Sequence, residues 1–452
     1  MKTTTFTKLT AGITLSLVTS TMLHATNGDT LISVGAKARG MGGVGIGMSH
    51  GAESTLTNPA LITGIQGTEI SFGGTVFMPS ITTTVNTVPG MPSQGALDSD
   101  ADMNMIPEVS LAHKINDNWY IGIGMWGTAG MGTDYRGNLD LRTGQFGNLN
   151  MVTNLQLMQF AVPVAYKSGG LSVAVAPILQ YGNLDINYNM PDPANLSAGA
   201  PGVGAGLSQD FGFGWSAGLT YDFSNGLTVG AVYKSAIEMS YDGQLSTAMA
   251  PFNAMINGMN SMMGAPFYNT LNDSDTLEQP AEYGIGFAYV MGQHTIAMDY
   301  KKIAWSSASG YKDFGWDDQD VLAVGYQFTQ DNWALRIGYN QASSPITEKS
   351  AGQRDPNFIK YSALNFFNLL GFPATQEKHL TLGGTYTFSE TFSLDLAYVH
   401  GFSNEETFDV PAFSALPNMG MPGQQPPYGY GVGSITTDHS EDSLSFQLTY
   451  KF

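Results

Sequence analysis

The chain has no cysteine among its 452 residues, which excludes disulfides, thiolate metal sites and cysteine nucleophiles together. Charge is scarce as well: Asp, Glu, Lys and Arg make up only 12%, about half the share of an ordinary soluble chain. Basic residues are the rarer kind, 18 against 37 acidic, and with a net charge of -19 there is no basic stripe for nucleic acid. Long apolar runs are also missing. Beyond the extreme N-terminus there is no stretch of about 18 apolar residues, and the mean hydropathy is -0.06, so a helical membrane protein is excluded. What the chain does have is glycine, 55 residues, and aromatic side chains, 11%. Little charge without long apolar runs suits strands with one greasy face and one wet face.

The N-terminus reads as a secretory signal over residues 1–25: Lys2 and Lys8, an apolar core over 9–18, and Ala25 as the cleavage position. That core is too short to anchor the chain. An exported protein that spans a membrane without a spanning helix is left with one architecture, an outer-membrane barrel.

Strand patterning supports it. Leu444, Phe446, Leu448, Tyr450 and Phe452 alternate with Ser443, Ser445, Gln447, Thr449 and Lys451, one face apolar and the other polar. A last strand ending in an aromatic residue, here Phe452, resembles the signature read by the outer-membrane barrel-assembly machinery. The same alternation runs through Trp333, Leu335, Ile337 and Tyr339, through Ile296, Met298 and Tyr300, and through Phe392, Leu394, Leu396 and Tyr398. Charges such as Asp299, Lys301, Arg336 and Asp395 fall on the opposite face, where a lumen would supply water.

Turn signals alternate between tight and long. Tight ones fall at 116–118, 168–170, 224–226, 291–293, 330–332 and 389–390, and longer connections at 88–100, 135–148, 190–208, 245–272, 306–312, 348–376 and 409–437. Short turns at one rim and long loops at the other predict an all-β, antiparallel transmembrane barrel of about 14 strands over residues 66–452. The acidic pairs and triplets in the long connections, such as Asp98, Asp100 and Asp102, read as solvated loops without the full calcium-ligand pattern, so no metal and no cofactor are expected. Scattered histidines form no Ser-His-acid set by spacing, which argues against an enzyme.

Residues 26–65 precede the first strand. Gly35, Gly40, Gly42, Gly43, Gly45, Gly47 and Gly51 make this stretch too flexible to order itself. It is either a plug held by a surrounding wall or a loose leader. Two long connections carry apolar clusters: Met255, Met259 and Met262 in one, Phe366 and Phe367 in the other. Each is a candidate landing surface for a hydrophobic solute, or packs on itself.

With these features in hand, the chain resembles the FadL/TodX family of outer-membrane channels for hydrophobic compounds. Asn58-Pro59-Ala60 matches the family's plug motif. The stretch from Gly212 to Gly218 and the hairpin carrying Asp331, Asn332, Trp333, Arg336 and Gly338 resemble family strands. The resemblance implies a multi-pass protein of the bacterial outer membrane, surrounded by its lipid. It would take up long-chain fatty acids or neutral and aromatic hydrocarbons passively, with release sideways through a gap at an inward kink of the third strand. Here that stretch carries Gly127, Gly130 and Gly132, which ordinary barrel curvature also explains. Fatty-acid carriers of the family place basic residues near the ligand carboxylate. Asp317 stands where one such lysine is expected, and Lys234, Lys301 and Arg336 are the remaining candidates for lumen contacts. A general diffusion porin, a barrel enzyme and an adhesin are the competing readings.

Overall fold

The computed structural model describes residues 26–87, 95–136, 149–189, 202–415 and 432–452. The expected signal sequence, and the middles of four of the expected long connections, lie outside the described residues. Fourteen long strands form one sheet: β1 Thr68–Thr87, β2 Asn104–Lys114, β3 Trp119–Asp134, β4 in two pieces, Val152–Ala161 and Val164–Ser168, β5 Leu171–Asn189, β6 Ser208–Asp222 and β7 Leu227–Lys234. Then follow β8 Glu282–Met291, β9 His294–Ile303, β10 Gln319–Gln330, β11 Trp333–Ala342, β12 Lys378–Ser389, β13 Phe392–Asp409 and β14 Val432–Lys451. Each pairs antiparallel with its neighbours in sequence, and β14 returns to β1 from Val432↔Thr87 to Lys451↔Glu69, so the sheet closes into a barrel.

The alternation behaves as its chemistry demands. Leu335, Ile337, Ile296, Met298, Leu444 and Phe446 are exposed on the outside, while Arg336, Asp299, Ser443, Ser445 and Gln447 are buried inside. One rim carries the tight turns. Gly226 and Gly292 sit there with φ of 91° and 62°, a left-handed conformation that glycine reaches without a Cβ clash.

Several strands are shorter or more broken than their sequence patterns predict. β4 is interrupted at Pro163, which has no N–H to give to the ladder. β7 ends at Lys234 rather than near residue 244, and β8 begins at Glu282 rather than near 274. Beyond those ends the strand pairing shrinks to the isolated bridges Ile237↔Gln279 and Ser240↔Thr276, next to Pro280. The Met-rich connection is a helix, α1 (Gln244–Met263), and the Phe-rich one contains a second, α2 (Phe358–Leu370). In α1 the buried Leu245, Ala248, Met249, Phe252, Ile256 and Met259 recur at helical spacing and form one face.

The helices explain a second departure. Toward the long-loop rim the inward residues turn apolar: Leu155, Leu157, Leu184, Ile186, Tyr188, Phe408 and Ile435 form one core with Phe252, Phe366, Phe367, Trp305 and Trp316. At that level the barrel behaves as a soluble domain, with its hydrophobic residues packed within. Below it the interior is polar and meets the N-terminal segment.

Candidate functional site

Residues 26–65 are almost wholly buried, and they bond to strands on every side of the barrel. Gly35 N donates to Glu108 of β2 at 2.8 Å, Ala52 N to Glu69 of β1 at 2.9 Å and Gly42 N to Thr381 of β12 at 2.8 Å. Gly45 N and Ile46 N both donate to one oxygen of Asp299 on β9, at 2.6 and 2.8 Å. Arg39 donates to Ser443 of β14 at 2.6 Å, and Lys37 lies 3.7 Å from Asp395 of β13. Such charge-assisted bonds supply the order that a glycine-rich chain cannot supply for itself.

The motif residues dock against the β6–β7 wall. Asn58 is fully buried; its amide donates to Ile46 O at 2.8 Å and its oxygen accepts from Ala60 N at 3.1 Å. Pro59 opens the short helix Pro59–Gly64, where a missing N–H costs nothing. A Cβ at Gly218 would stand 2.0 Å from the Asn58 oxygen, so the wall is glycine where the motif touches it.

The wall itself is interrupted between β2 and β3. The β2–β3 ladder runs from Lys114↔Tyr120 to Glu108↔Trp126 and stops there. Contact with the chain before β2 resumes only at Asp134, whose N donates to Ser99 Oγ at 2.9 Å and whose carbonyl accepts from Asp100 N at 2.8 Å. Between these points β3 dents inward. Its register against β4 slips between Gly127 and Ala129, a bulge that bends the strand. The edge left free pairs instead with the N-terminal segment: Thr30↔Ala129, with Gly130 N donating to Asp29 O at 2.9 Å. A cavity of about 350 Å³ opens here, with Met105, Ile106 and Pro107 on one side, Gly130, Met131 and Gly132 on the other, and Thr26, Gly28 and Leu31 as its floor. A second cavity, of about 90 Å³, shares Leu31 with it and reaches Thr128, Lys234, Glu282 and Lys301.

The glycines singled out in β3 therefore all line the gap, whereas the polar candidates scatter. Lys234 and Lys301 both face the second cavity, and both are held by Glu282, at 3.2 and 2.9 Å. Arg336 donates to Gln327 and Thr385 at 2.7 Å and lies 3.6 Å from Asp395, so its charge belongs to a wall network. Asp317 is not a lumen residue: β10 begins two residues later, and its exposed carboxylate pairs with Lys349 at 3.1 Å. Phe366 and Phe367 are fully buried; Phe367 packs on Phe252 and Tyr188 at centroid distances of 5.4 and 5.8 Å. They hold α2 in the barrel mouth instead of offering a landing surface. Of the methionines, Met259 is buried with that core, Met255 packs at its margin, and Met262 is exposed at the helix end.

Sequence reasoning missed the residues that touch the kink, Asp29 and Thr30. It also missed Glu441, which accepts from Thr26 Oγ1 at 2.6 Å and lines the larger cavity. Thr26, Asp29 and Thr30 stand in a polar stretch, where nothing distinguishes a buried partner from a solvated one. A carboxylate on the inner face of a strand was the one readable signal for Glu441.

Burial raises two acids of the segment. Glu53 is pushed up to about 8, with Lys37 opposing the shift and Asp395 and Glu108 adding to it. Asp29 is also raised by burial, against its hydrogen bonds from Tyr311, Gln279 and Thr30. His50 is driven down to about 3, again by burial. An acid raised in the docked state favours docking while protonated and loses that contribution as pH rises from its ordinary value through the raised one. Between pH ~7 and ~8, where His50 is mostly neutral in both states, docking should weaken with rising pH by up to about tenfold per unit. Hydrogen exchange over residues 26–65 measures this, and Glu53→Gln should flatten most of the slope; an unaltered slope would acquit Glu53.

A closed barrel with a lipid-facing apolar surface, its N-terminal chain packed inside and one strand dented beside a cavity, defines an outer-membrane transport channel. The particular family follows from the sequence match: residues 25–434 fit the model of the Outer membrane protein transport protein (OMPP1/FadL/TodX) family, and the chain belongs to it. Members of that family are channels for hydrophobic compounds, not enzymes. A 47 kDa outer membrane protein of Pasteurella multocida (strain Pm70) is 26% identical over 387 residues, which cover 80% of this chain and 86% of the relative. Among solved structures, a Pseudomonas aeruginosa FadL homologue superposes with a TM-score of 0.62 at 16% identity, covering 96% of this chain and all of that one. The Pseudomonas putida toluene transporter TodX gives 0.61 at 17%, covering 93% and 99%. At these identities the structural likeness is one of fold.

Proposed function

We propose that the protein admits uncharged hydrophobic molecules passively across the outer membrane and releases them sideways, through the gap between β2 and β3, with residues 26–65 acting as a plug. The observation that carries this reading is the gap itself. Backbone polar groups facing lipid cost several kcal/mol each when unpaired, so a ladder left open over residues 127–133 of β3 is kept for a use. The cavity beside it is lined by Met105, Ile106, Pro107 and Leu31 and bounded by glycines that leave the space open.

The preference for uncharged cargo rests on the lumen cations. Lys234 and Lys301 share Glu282, and Arg336 is engaged with Asp395. A fatty-acid carboxylate drawn to any of these three cations would have to displace the anion already there, at a cost of several kcal/mol.

Expression in a bacterium with an intact lipopolysaccharide outer membrane and no related channel tests the reading. Uptake of a neutral alkylbenzene from the medium should rise well above the empty-vector rate, and oleate uptake should rise much less. Equal acceleration of both would remove the charge argument; acceleration of neither would remove the transport reading.

A further inference from the structure

Asp29 touches two parts of the molecule that are otherwise far apart in sequence. Its backbone carbonyl accepts from Gly130 N at 2.9 Å, and the next residue, Thr30, pairs with Ala129, so the hairpin over residues 26–31, in which Asn27 pairs with Thr30, occupies the dent in β3. Its side chain points the other way. The carboxylate is fully buried and accepts from Gln279 Nε2 at 2.7 Å, from Thr30 Oγ1 at 3.1 Å and from the hydroxyl of Tyr311. Gln279 precedes β8, and Tyr311 belongs to the long connection between β9 and β10. Three donors compensate a buried carboxylate for its lost water.

Tyr311 is held in turn by an aromatic cluster. Its ring lies 4.7 Å from Trp305 and 4.8 Å from Trp316. Trp316 Nε1 donates to Asn368 of α2 at 3.2 Å, and Asn368 donates back to Phe314 O at 3.0 Å. The ring of Trp305 lies against Gly28, where a Cβ would stand only 2.7 Å away. A continuous path of packed rings and hydrogen bonds therefore leads from α2, through Tyr311 and Asp29, to Gly130.

We propose that Asp29 is a positioning residue that couples the long connection carrying Tyr311 to the dent in β3, so that displacement of Tyr311 frees the hairpin from Ala129 and Gly130. The proposal rests on the reading of the dent as the exit for cargo. It adds which contact holds that exit shut and from which side it is released. A carboxylate suits the task because one of its oxygens accepts from both Tyr311 and Gln279 while the other accepts from Thr30, whereas an amide in its place turns an NH2 group toward one of these donors.

Hydrogen exchange at the Gly130 amide, read on the purified full-length barrel in detergent micelles, tests the coupling. In Tyr311→Phe, which keeps the ring and loses only the hydroxyl, exchange at Gly130 should rise about tenfold, the scale of one lost buried hydrogen bond to a charged group. Asp29→Ala should raise it further and Asp29→Asn less, while amides of the β10–β11 ladder stay at their wild-type rates. Saturating ethylbenzene should raise Gly130 exchange in the wild type and add little in Tyr311→Phe, where the link is already cut. Unchanged Gly130 exchange in both Tyr311→Phe and Asp29→Ala would overturn the proposal, as would an equal rise at every strand. If a bulky residue at position 130 stops uptake while Tyr311→Phe and Asp29→Ala both leave Gly130 exchange unaltered, the exit stands and the coupling falls.

Discussion

Replacing Gly130 by tryptophan should reduce uptake of a neutral alkylbenzene to the empty-vector rate while the barrel still folds and inserts. The two halves of that expectation have separate physical grounds. Gly130 lines the larger cavity, so an indole there occupies the opening between β2 and β3. A Cβ at this position meets only the Leu155 carbonyl, at 3.0 Å, which a small shift of that carbonyl relieves. The backbone needs no conformation reserved for glycine, because Gly130 is not among the residues with positive φ. Gly132 makes the instructive contrast. A Cβ there would stand 2.1 Å from the Thr153 carbonyl, so a large side chain should damage the β3–β4 ladder and lower uptake for an uninteresting reason. Heat-modifiable migration on electrophoresis separates the cases: the Gly130 variant should keep the compact band and lose uptake. A variant with the compact band and wild-type uptake would leave the sideways route without support.

The barrel was legible in the sequence because its determinants are local. Alternation through Leu444–Phe452 or Trp333–Tyr339 reports which face meets lipid, and Gly226 or Gly292 reports a tight turn, each within a few residues. The dent was legible only as a cluster of glycines, since a bulge is defined by the register against β4, a partner distant in sequence. Least legible was the upper interior. Phe366 and Phe367 are as apolar as any solute-capturing surface, and only the packing of α2 against Phe252 and Tyr188 shows that they are core. The same limit applied to charge: Lys234, Lys301 and Arg336 were readable as inward-facing, but not as already paired with Glu282 and Asp395.

Removing residues 26–65 should open the polar lower bore to water and take the floor from under the apolar core that packs α1 and α2 in the mouth. Those residues bond to β1, β2, β9, β12 and β14, so the bore they occupy is bounded by Glu69, Glu108, Asp299, Thr381 and Ser443, all of which water can solvate once the segment is gone. In planar bilayers the full-length protein should show little or no conductance, and the shortened one frequent conducting steps as the unsupported mouth core opens. Cells carrying it should become sensitive to bulky hydrophilic antibiotics. A point variant guards against a barrel that fails to assemble without its N-terminus. A Cβ at Gly338 would lie 2.1 Å from Gly42 N and 2.2 Å from the Met41 carbonyl carbon, and these are backbone atoms with no rotamer to yield. Gly338→Leu should therefore push residues 41–42 off the β10–β11 wall and break the bond from Gly42 N to Thr381, giving intermittent conductance with the strand pairing intact. Each buried hydrogen bond lost in that way costs about 1 to 3 kcal/mol, enough to populate an undocked segment without unfolding the barrel. If both variants fold and conduct no more than the parent, residues 26–65 are not what closes the bore, and the apolar core packed in the mouth is the barrier.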